Sequence, residues 1–283
     1  MDRTVLLIGF GLLTAASALR GQENIEEELQ RSSDDHMREE LGVNPITTPK
    51  IQEVLDSLQV FRPIPIALIE SANREASFNN RMQTAMHFGS LVADGFVLTL
   101  AERATDLQDV GRALIRQSRA LGVGDRLTKR SKSLFELSDK GDWLGMREEL
   151  IRTQADVEQS MMELRDEEMA HMVSLGGWLR GFQIGANSTA GAYTEAKAKV
   201  LGNTDIIEYF LDRLDTLHPR LKKTEIVTTL TTRLKDIRAV ALETQGSPPT
   251  IAQVEKMRTL ADDAESAATA RVDDEGNFEK ARP

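Results

Sequence analysis

The chain has 283 residues, a hydrophobic content of 40% and a formal net charge of −10. That is enough apolar material for a buried core over most of the length, whereas the acidic balance argues against general nucleic-acid binding and against docking on an anionic membrane surface. With no cysteine in the chain, disulfides, thiol chemistry, Cys-based metal sites and a lipid anchor on an N-terminal cysteine are excluded.

The first eighteen residues read as a secretory signal peptide. Arg3 and the free amine precede an uncharged run from Val5 to Ala18, which ends in Ala16-Ser17-Ala18. A basic start, an apolar middle and small residues at the cut are the export pattern. The run is shorter than the roughly twenty residues a membrane span requires. Asp2 offsets Arg3 and is the departure from the pattern; a buried N-terminal helix is the alternative. The mature chain is expected to begin at Leu19 and to work outside the cytoplasm, in the periplasm or beyond. No other stretch reaches spanning length.

Residues 19–46 form an acidic lead-in, with Glu23, Glu26, Glu27, Glu28, Asp34, Asp35, Glu39 and Glu40 facing Arg31 and Arg38 and no aromatic residue. Such a segment buries little and is expected to be a solvated helix or mobile. A helical-bundle domain over 47–270 follows, then a polar tail at 271–283. No proline occurs between Pro65 and Pro219, and the apolar spacing of three and four there predicts helix after helix and no strand.

The first core helix is expected over 49–61, capped by Thr48, with Pro49 at its first position and Ile51, Val54, Leu55, Leu58 and Phe61 on its apolar face. A second, over 78–103, is apolar nearly all round between Met82 and Ala101, which marks a helix buried on most sides. Thr105 and Gln108 have capping-box spacing for a third, closed at Gly122 and Gly124. A short helix over 125–138 precedes the longest stretch, from Trp143 to about Phe182. Another helix starts at Asn203 to Asp205 and closes at Pro219. The next covers 222–245, with Ile226, Leu230, Leu234, Ile237 and Ala241 on one face. Gly246-Ser247-Pro248-Pro249 breaks it, and Thr250 with Gln253 caps a last helix over 250–270. The fold class is therefore an all-α multi-helix bundle around a buried central helix, preceded by a signal peptide. A sub-lobe boundary is possible near 185–203.

Two faces of small residues stand out. Gly177, Gly181 and Gly185 recur every fourth residue, and Ala85, Gly89 and Ala93 do the same on the central helix. Flat faces let backbones approach closely, so these two are expected to meet or each to receive another helix. The alternative makes 176–191 a loop or hinge lining a ligand pocket.

Polar residues inside apolar stripes supply the candidate metal site. The stripe Val157, Met161, Leu164, Glu168, His171, Leu175, Trp178, Phe182 places Glu168 and His171 toward the interior, and Glu-x-x-His is the spacing that puts a carboxylate and an imidazole on one metal in ferritin-like bundles. On the central helix the face Thr84, His87, Leu91, Asp94, Leu98, Ala101 does the same for His87 and Asp94. Glu168, His171, His87 and Asp94 would suit zinc, iron or manganese if the helices packed together. Against this, only one Glu-x-x-His is present, Asp215 to His218 being a poor second copy that ends on Pro219. His87 and Asp94 stand about 10.5 Å apart along the axis. Buried polar groups bonded across helices, or paired with arginine, are the simpler reading.

Residues 112–132 carry Arg112, Arg116, Arg119, Arg126, Lys129, Arg130 and Lys132 against Asp125 alone. This face suits an anionic partner such as a cell-wall polymer, a lipid headgroup or a phosphate-bearing ligand; without interleaved aromatics it does not suit nucleic acid. Internal neutralisation by Glu148, Glu149, Asp156, Glu158 and Glu163 is the alternative. Nucleophile-elbow, Ser-x-x-Lys, His-Glu-x-x-His and P-loop motifs are missing. Asn187-Ser188-Thr189 is a glycosylation sequon. The sequence thus leans to a non-enzymatic binding or structural protein of the cell envelope or periplasm, with an unknown protein or anionic envelope component as partner and no cofactor. The alternative is a bundle-core metalloprotein or metal-dependent enzyme holding a divalent ion.

Overall fold

A computed structural model of the protein describes residues 58–70, 74, 76–124, 133–134, 136–163, 166–273 and 276–279. The expected leader, the acidic lead-in, residues 49–57 of the first core helix and most of the 125–138 helix lie outside the described residues. A 3-10 turn, Leu58–Phe61, is followed by α1 (Ile66–Glu70), α2 (Arg81–Leu100), α3 (Ala104–Ala120), α4 (Trp143–Glu163), α5 (Glu167–Gly191), α6 (Glu195–Leu201), α7 (Asp205–Thr216), α8 (Pro219–Lys222), α9 (Glu225–Leu242) and α10 (Ile251–Thr269). Among the described residues there is no strand, only an isolated bridge between Val272 and Phe278. The fold is an all-α, multi-helix arrangement.

The central helix is α2. Asn80 caps it, its side chain accepting from the backbone N–H groups of Met82 and Gln83. Every residue from Met82 to Thr99 is buried, as expected of a helix without a polar face. Helix α5 packs most closely on α2; α3 and α4 cover other sides, α10 lies against α5, and α9 against α10. A single apolar cluster runs through these elements, and the expected face of α9, Ile226 to Ala241, is buried in it.

The small-residue faces meet at one point. A methyl group added at Gly89 would lie 1.9 Å from the Val173 carbonyl oxygen and 2.6 Å from the Gly177 nitrogen; one added at Gly176 would lie 2.0 Å from the Met86 carbonyl oxygen. Both helices therefore touch through backbone. Further along α5, Gly185 receives the Phe61 ring, whereas a methyl at Gly181 would meet nothing nearer than Leu58 at 3.7 Å. The helix is continuous through Gly191, so the loop or hinge expected as the alternative over 176–191 does not form.

Several boundaries differ from expectation. Residues 143–182 are not one helix: Asp166 caps α5 after a break, its backbone N–H donating to the Met161 carbonyl at 2.8 Å. Its carboxylate lies 2.7 Å from Arg81 at the start of α2, a contact from a distant part of the chain that sequence periodicity does not register. Thr105 and Gln108 form no capping box, because the N-cap of α3 is Arg103, two residues before Thr105. The Arg103 N–H is committed to the Leu98 carbonyl and the Glu102 N–H to Thr99, a closing motif that places Glu102 at φ 56°. Helix α3 ends in the same motif with Gly122 at φ 81°, where glycine carries no side-chain penalty. The Thr250–Gln253 capping box forms as expected. The start of the tail is not free: beyond Thr269 the chain turns at Gly276, Phe278 donates its N–H to Glu225 Oε2 at 2.6 Å, and the Gly276 carbonyl accepts from Ile226.

The backbone contact between α2 and α5 sets a direct test. Gly89→Ala and Gly176→Ala are each expected to destabilise the protein by about 3 kcal/mol or more, since backbone cannot rotate away. Gly181→Ala, with ordinary space around it, is expected to gain up to about 1 kcal/mol of helix propensity. Urea unfolding midpoints of the three variants measure this.

Candidate functional site

Each apolar helix of the central pair carries one charged residue in its buried stretch, and the two meet. Asp94 on α2 and Arg180 on α5 form an ion pair, with Arg180 Nε donating to Asp94 Oδ1 at 2.7 Å and Nη2 to Oδ2 at 3.4 Å. Their side chains are 3% and 5% exposed, so the pair sits in a medium where each charge needs the other. Arg180 spends its remaining donors on Gln183 Oε1 at 2.6 Å and on the Leu68 carbonyl at 3.1 Å. Burial pushes the Asp94 carboxyl up, and the Arg180 guanidinium opposes that shift.

A second polar layer joins α10 to the pair. Gln183 Nε2 donates to Asp262 Oδ1 at 2.9 Å and Asn187 Nδ2 donates to the same oxygen at 3.1 Å. Arg258 neutralises Asp262 from one turn away, at 3.1 Å. Glu265, on the same helix, accepts from Ser90 Oγ at 3.3 Å. The Asn187 amide of the sequon is thus engaged inside a helix and also donates to the Gln183 carbonyl.

The four metal candidates are dispersed. Asp94 is engaged with Arg180. His87, two turns earlier on α2, has its ring edge-on to Phe78 at 5.3 Å, and burial, with Arg180 and Arg116 adding to it, lowers its pKa to about 4. Glu168 and His171 lie at the start of α5, Glu168 about 18 Å along the helix axis from Arg180. Glu168 Oε1 accepts the backbone N–H of His218 at 2.6 Å. His171 stands 3.5 Å from the Tyr209 hydroxyl, and burial, helped by Arg213, lowers it to about 4. Among the described residues no three carboxylate or imidazole groups converge as a metal set.

Of the basic stretch, Arg112, Arg116 and Arg119 are exposed on α3; Arg126, Lys129, Arg130 and Lys132 lie outside the described residues. Arg112 pairs with Asp109 in its own helix, and Arg116 donates to the Arg74 carbonyl at 3.0 Å. A groove of about 480 Å³ between α7 and α9 is lined by Lys222, Lys235 and Arg238 and by Asp212 and Asp215. Its charges are mixed, Lys222 being closed onto Asp215 at 2.7 Å.

Sequence reasoning missed Arg180, Glu265 and a buried Ser–Lys pair. Ser188 Oγ lies within reach of the Phe61 and Pro63 carbonyls, to either of which it can give its one hydrogen, and Lys197 Nζ donates to Ser188 Oγ and to the Ala192 carbonyl, each at 3.1 Å. Burial lowers the Lys197 ammonium. A Ser–Lys pair can serve acyl transfer when donors stand ready for an oxyanion. Here carbonyl oxygens surround it, which suit an ammonium and repel an oxyanion. The pair is a strut that ties the 3-10 turn to the end of α5. Arg180 did leave a signal in the sequence: it is the one charged residue between His171 and Glu195.

No helix among the described residues is long and apolar enough to cross a membrane. No protein-family model matches the chain, and neither a curated protein nor a solved structure matches it.

Two expectations follow. Asp94→Leu or Arg180→Met alone leaves one buried charge without its partner and should cost about 3–5 kcal/mol; the double variant should recover more than half of that loss in urea unfolding, since no lone charge remains. The two lowered histidines have folded pKa values of about 4 against the ordinary 6.5. Their neutral forms stabilise the protein fully above pH 6.5, and that contribution is lost as the pH falls through 4. Each contributes a slope of about 1.4 kcal/mol per pH unit inside that window. His87→Gln and His171→Gln should each make the acid limb of a stability–pH curve shallower.

Proposed function

We propose that the protein is an exported, non-enzymatic binding protein of the cell envelope or periplasm, which takes an anionic envelope component on the basic edge of α3. One observation carries this reading: Arg112, Arg116 and Arg119 are all exposed on that helix. They recur at intervals of four and three residues, so one edge of the helix carries all three. In sequence the edge continues into Arg126, Lys129, Arg130 and Lys132, which concentrates seven cationic side chains in a chain of net charge −10. Such a local reversal of sign attracts anions while the rest of the surface repels them. Supporting it from the other side, several of the buried or half-buried polar groups are engaged within the fold: Asp94 with Arg180, Glu168 with the His218 backbone, Lys197 with Ser188. The proposed location rests on the export pattern read over residues 1–18, with its uncharged run from Val5 to Ala18.

Soluble polyphosphate, a stand-in for a phosphate-bearing envelope polymer, is the probe. The full chain, expressed with its leader and recovered from the extracytoplasmic fraction, should bind labelled polyphosphate with an affinity that falls steeply as salt is raised. The triple variant Arg112→Glu, Arg116→Glu, Arg119→Glu should lose at least about tenfold, or roughly 1.4 kcal/mol. Binding that is indifferent to salt and to the triple variant would sink the reading. Mass spectrometry of the same material should find an N-terminus at Leu19.

A further inference from the structure

Ser90 follows Gly89, the residue at which α2 touches α5 through backbone. Its hydroxyl lies 3.3 Å from the Gly176 carbonyl oxygen on α5 and 3.3 Å from Glu265 Oε1 on α10. A hydroxyl has one hydrogen to give. With Glu265 ionised, both neighbours are acceptors and Ser90 serves only one of them. Glu265 Oε2 is buried with no hydrogen-bond partner among the described residues. With a proton on the Glu265 oxygen that faces Ser90, the conflict disappears: Glu265 donates to Ser90 Oγ, and Ser90 donates to the Gly176 carbonyl.

We propose that Glu265 is a proton-binding site that sets which partner the Ser90 hydroxyl serves, and so couples the α2–α5 crossing to pH. Protonated, it leaves the Ser90 bond on Gly176 and latches the crossing; ionised, it draws that hydrogen to itself and releases the carbonyl. The charged groups around it are few. Arg180 faces it from α5, Asp94 from α2, and Asp262 lies one turn earlier on α10. His87 stands one turn before Ser90, and Arg233 of α9 reaches Asp263 instead of Glu265. Arg180 is already committed to Asp94, so the second carboxylate has no counter-ion of its own. Burial pushes the Glu265 carboxyl up to about 6 from the ordinary 4.5, with Arg180 opposing and Asp94 adding to the shift. A folded pKa above the unfolded one stabilises the protein fully below 4.5, and the contribution is lost as the pH rises through 6.

Carbon-13 NMR of the full chain tests this. The Glu265 carboxyl and the Gly176 carbonyl should titrate together, with a midpoint at about 6. E265Q removes the titrating proton, so Gly176 should hold one shift throughout the pH range. In S90A, Glu265 should still titrate while Gly176 goes flat. Between pH 4.5 and 6 the folding equilibrium of the wild type should fall about tenfold per pH unit relative to E265Q. A Gly176 carbonyl that ignores pH in the wild type, or one that still titrates in E265Q, would overturn the proposal. So would a Glu265 carboxyl that titrates at its ordinary value.

Discussion

The close crossing of α2 and α5 fixes the spacing on which the rest of the protein depends. Where two helix backbones touch, the pair is held at a distance that ordinary side chains would forbid. That closeness has two consequences visible in the structure. It closes one side of α2, whose other sides α3 and α4 cover, so the helix is enclosed from Met82 to Thr99. It also brings the polar atoms of the α2 backbone-contact region, Ser90 among them, within reach of α5 and α10 together. Apolar packing elsewhere in the cluster is extensive, but it fills the space that this contact defines.

The same closeness explains how an ion pair can sit in the interior. Asp94 lies about a turn beyond Ser90 on α2, and Arg180 about a turn beyond Gly176 on α5, so the contact that aligns the glycines also aligns the charges. A buried pair contributes little net stability compared with apolar side chains of similar volume. Its contribution is to register. Sliding one helix along the other by a turn would leave both charges alone, and Gln183, Asp262 and Arg258 extend the same registration to α10.

Much of this was legible in the residues. The near-continuous apolar surface between Met82 and Ala101 identified the central helix, the glycine-rich stretch of α5 pointed to a close approach that Gly177 and its neighbour Gly176 make and Gly181 does not, and Thr250 with Gln253 announced the last helix. Asp94 was recognisable as a polar residue facing inward. Its partner was not, because Arg180 is 86 residues away and pairing over that distance leaves no local pattern; the available sign was that the apolar stretch of each helix held one charge, of opposite kind. The break before α5 was hidden for a similar reason. The apolar stripe runs on through it, and the contact made at Asp166 comes from Arg81 in another part of the chain. Glu265 was hidden among 45 acidic residues, and nothing about its neighbours in sequence marks it as enclosed. Glu102 adopts a left-handed conformation that its residue type does not announce.

Helix α10 meets the central pair differently from the way that pair meets itself. Its buried surface is Val254, Met257 and four alanines, Ala261, Ala264, Ala267 and Ala268, and polar bonds add to it on the side of the central pair: Gln83 gives both amide hydrogens to the Ala268 and Ala270 carbonyls, Ser90 reaches Glu265, and Gln183 and Asn187 reach Asp262. Water can replace bonds of this kind, whereas it cannot replace backbone contact between two glycine-lined helices. The chain also returns at Phe278 to the start of α9, which gives α9, α10 and the tail a closure of their own. Local opening free energies in a folded protein follow such differences. On that ground solvent exchange is expected to reach the bonds between α10 and the central pair before it reaches the α2–α5 crossing.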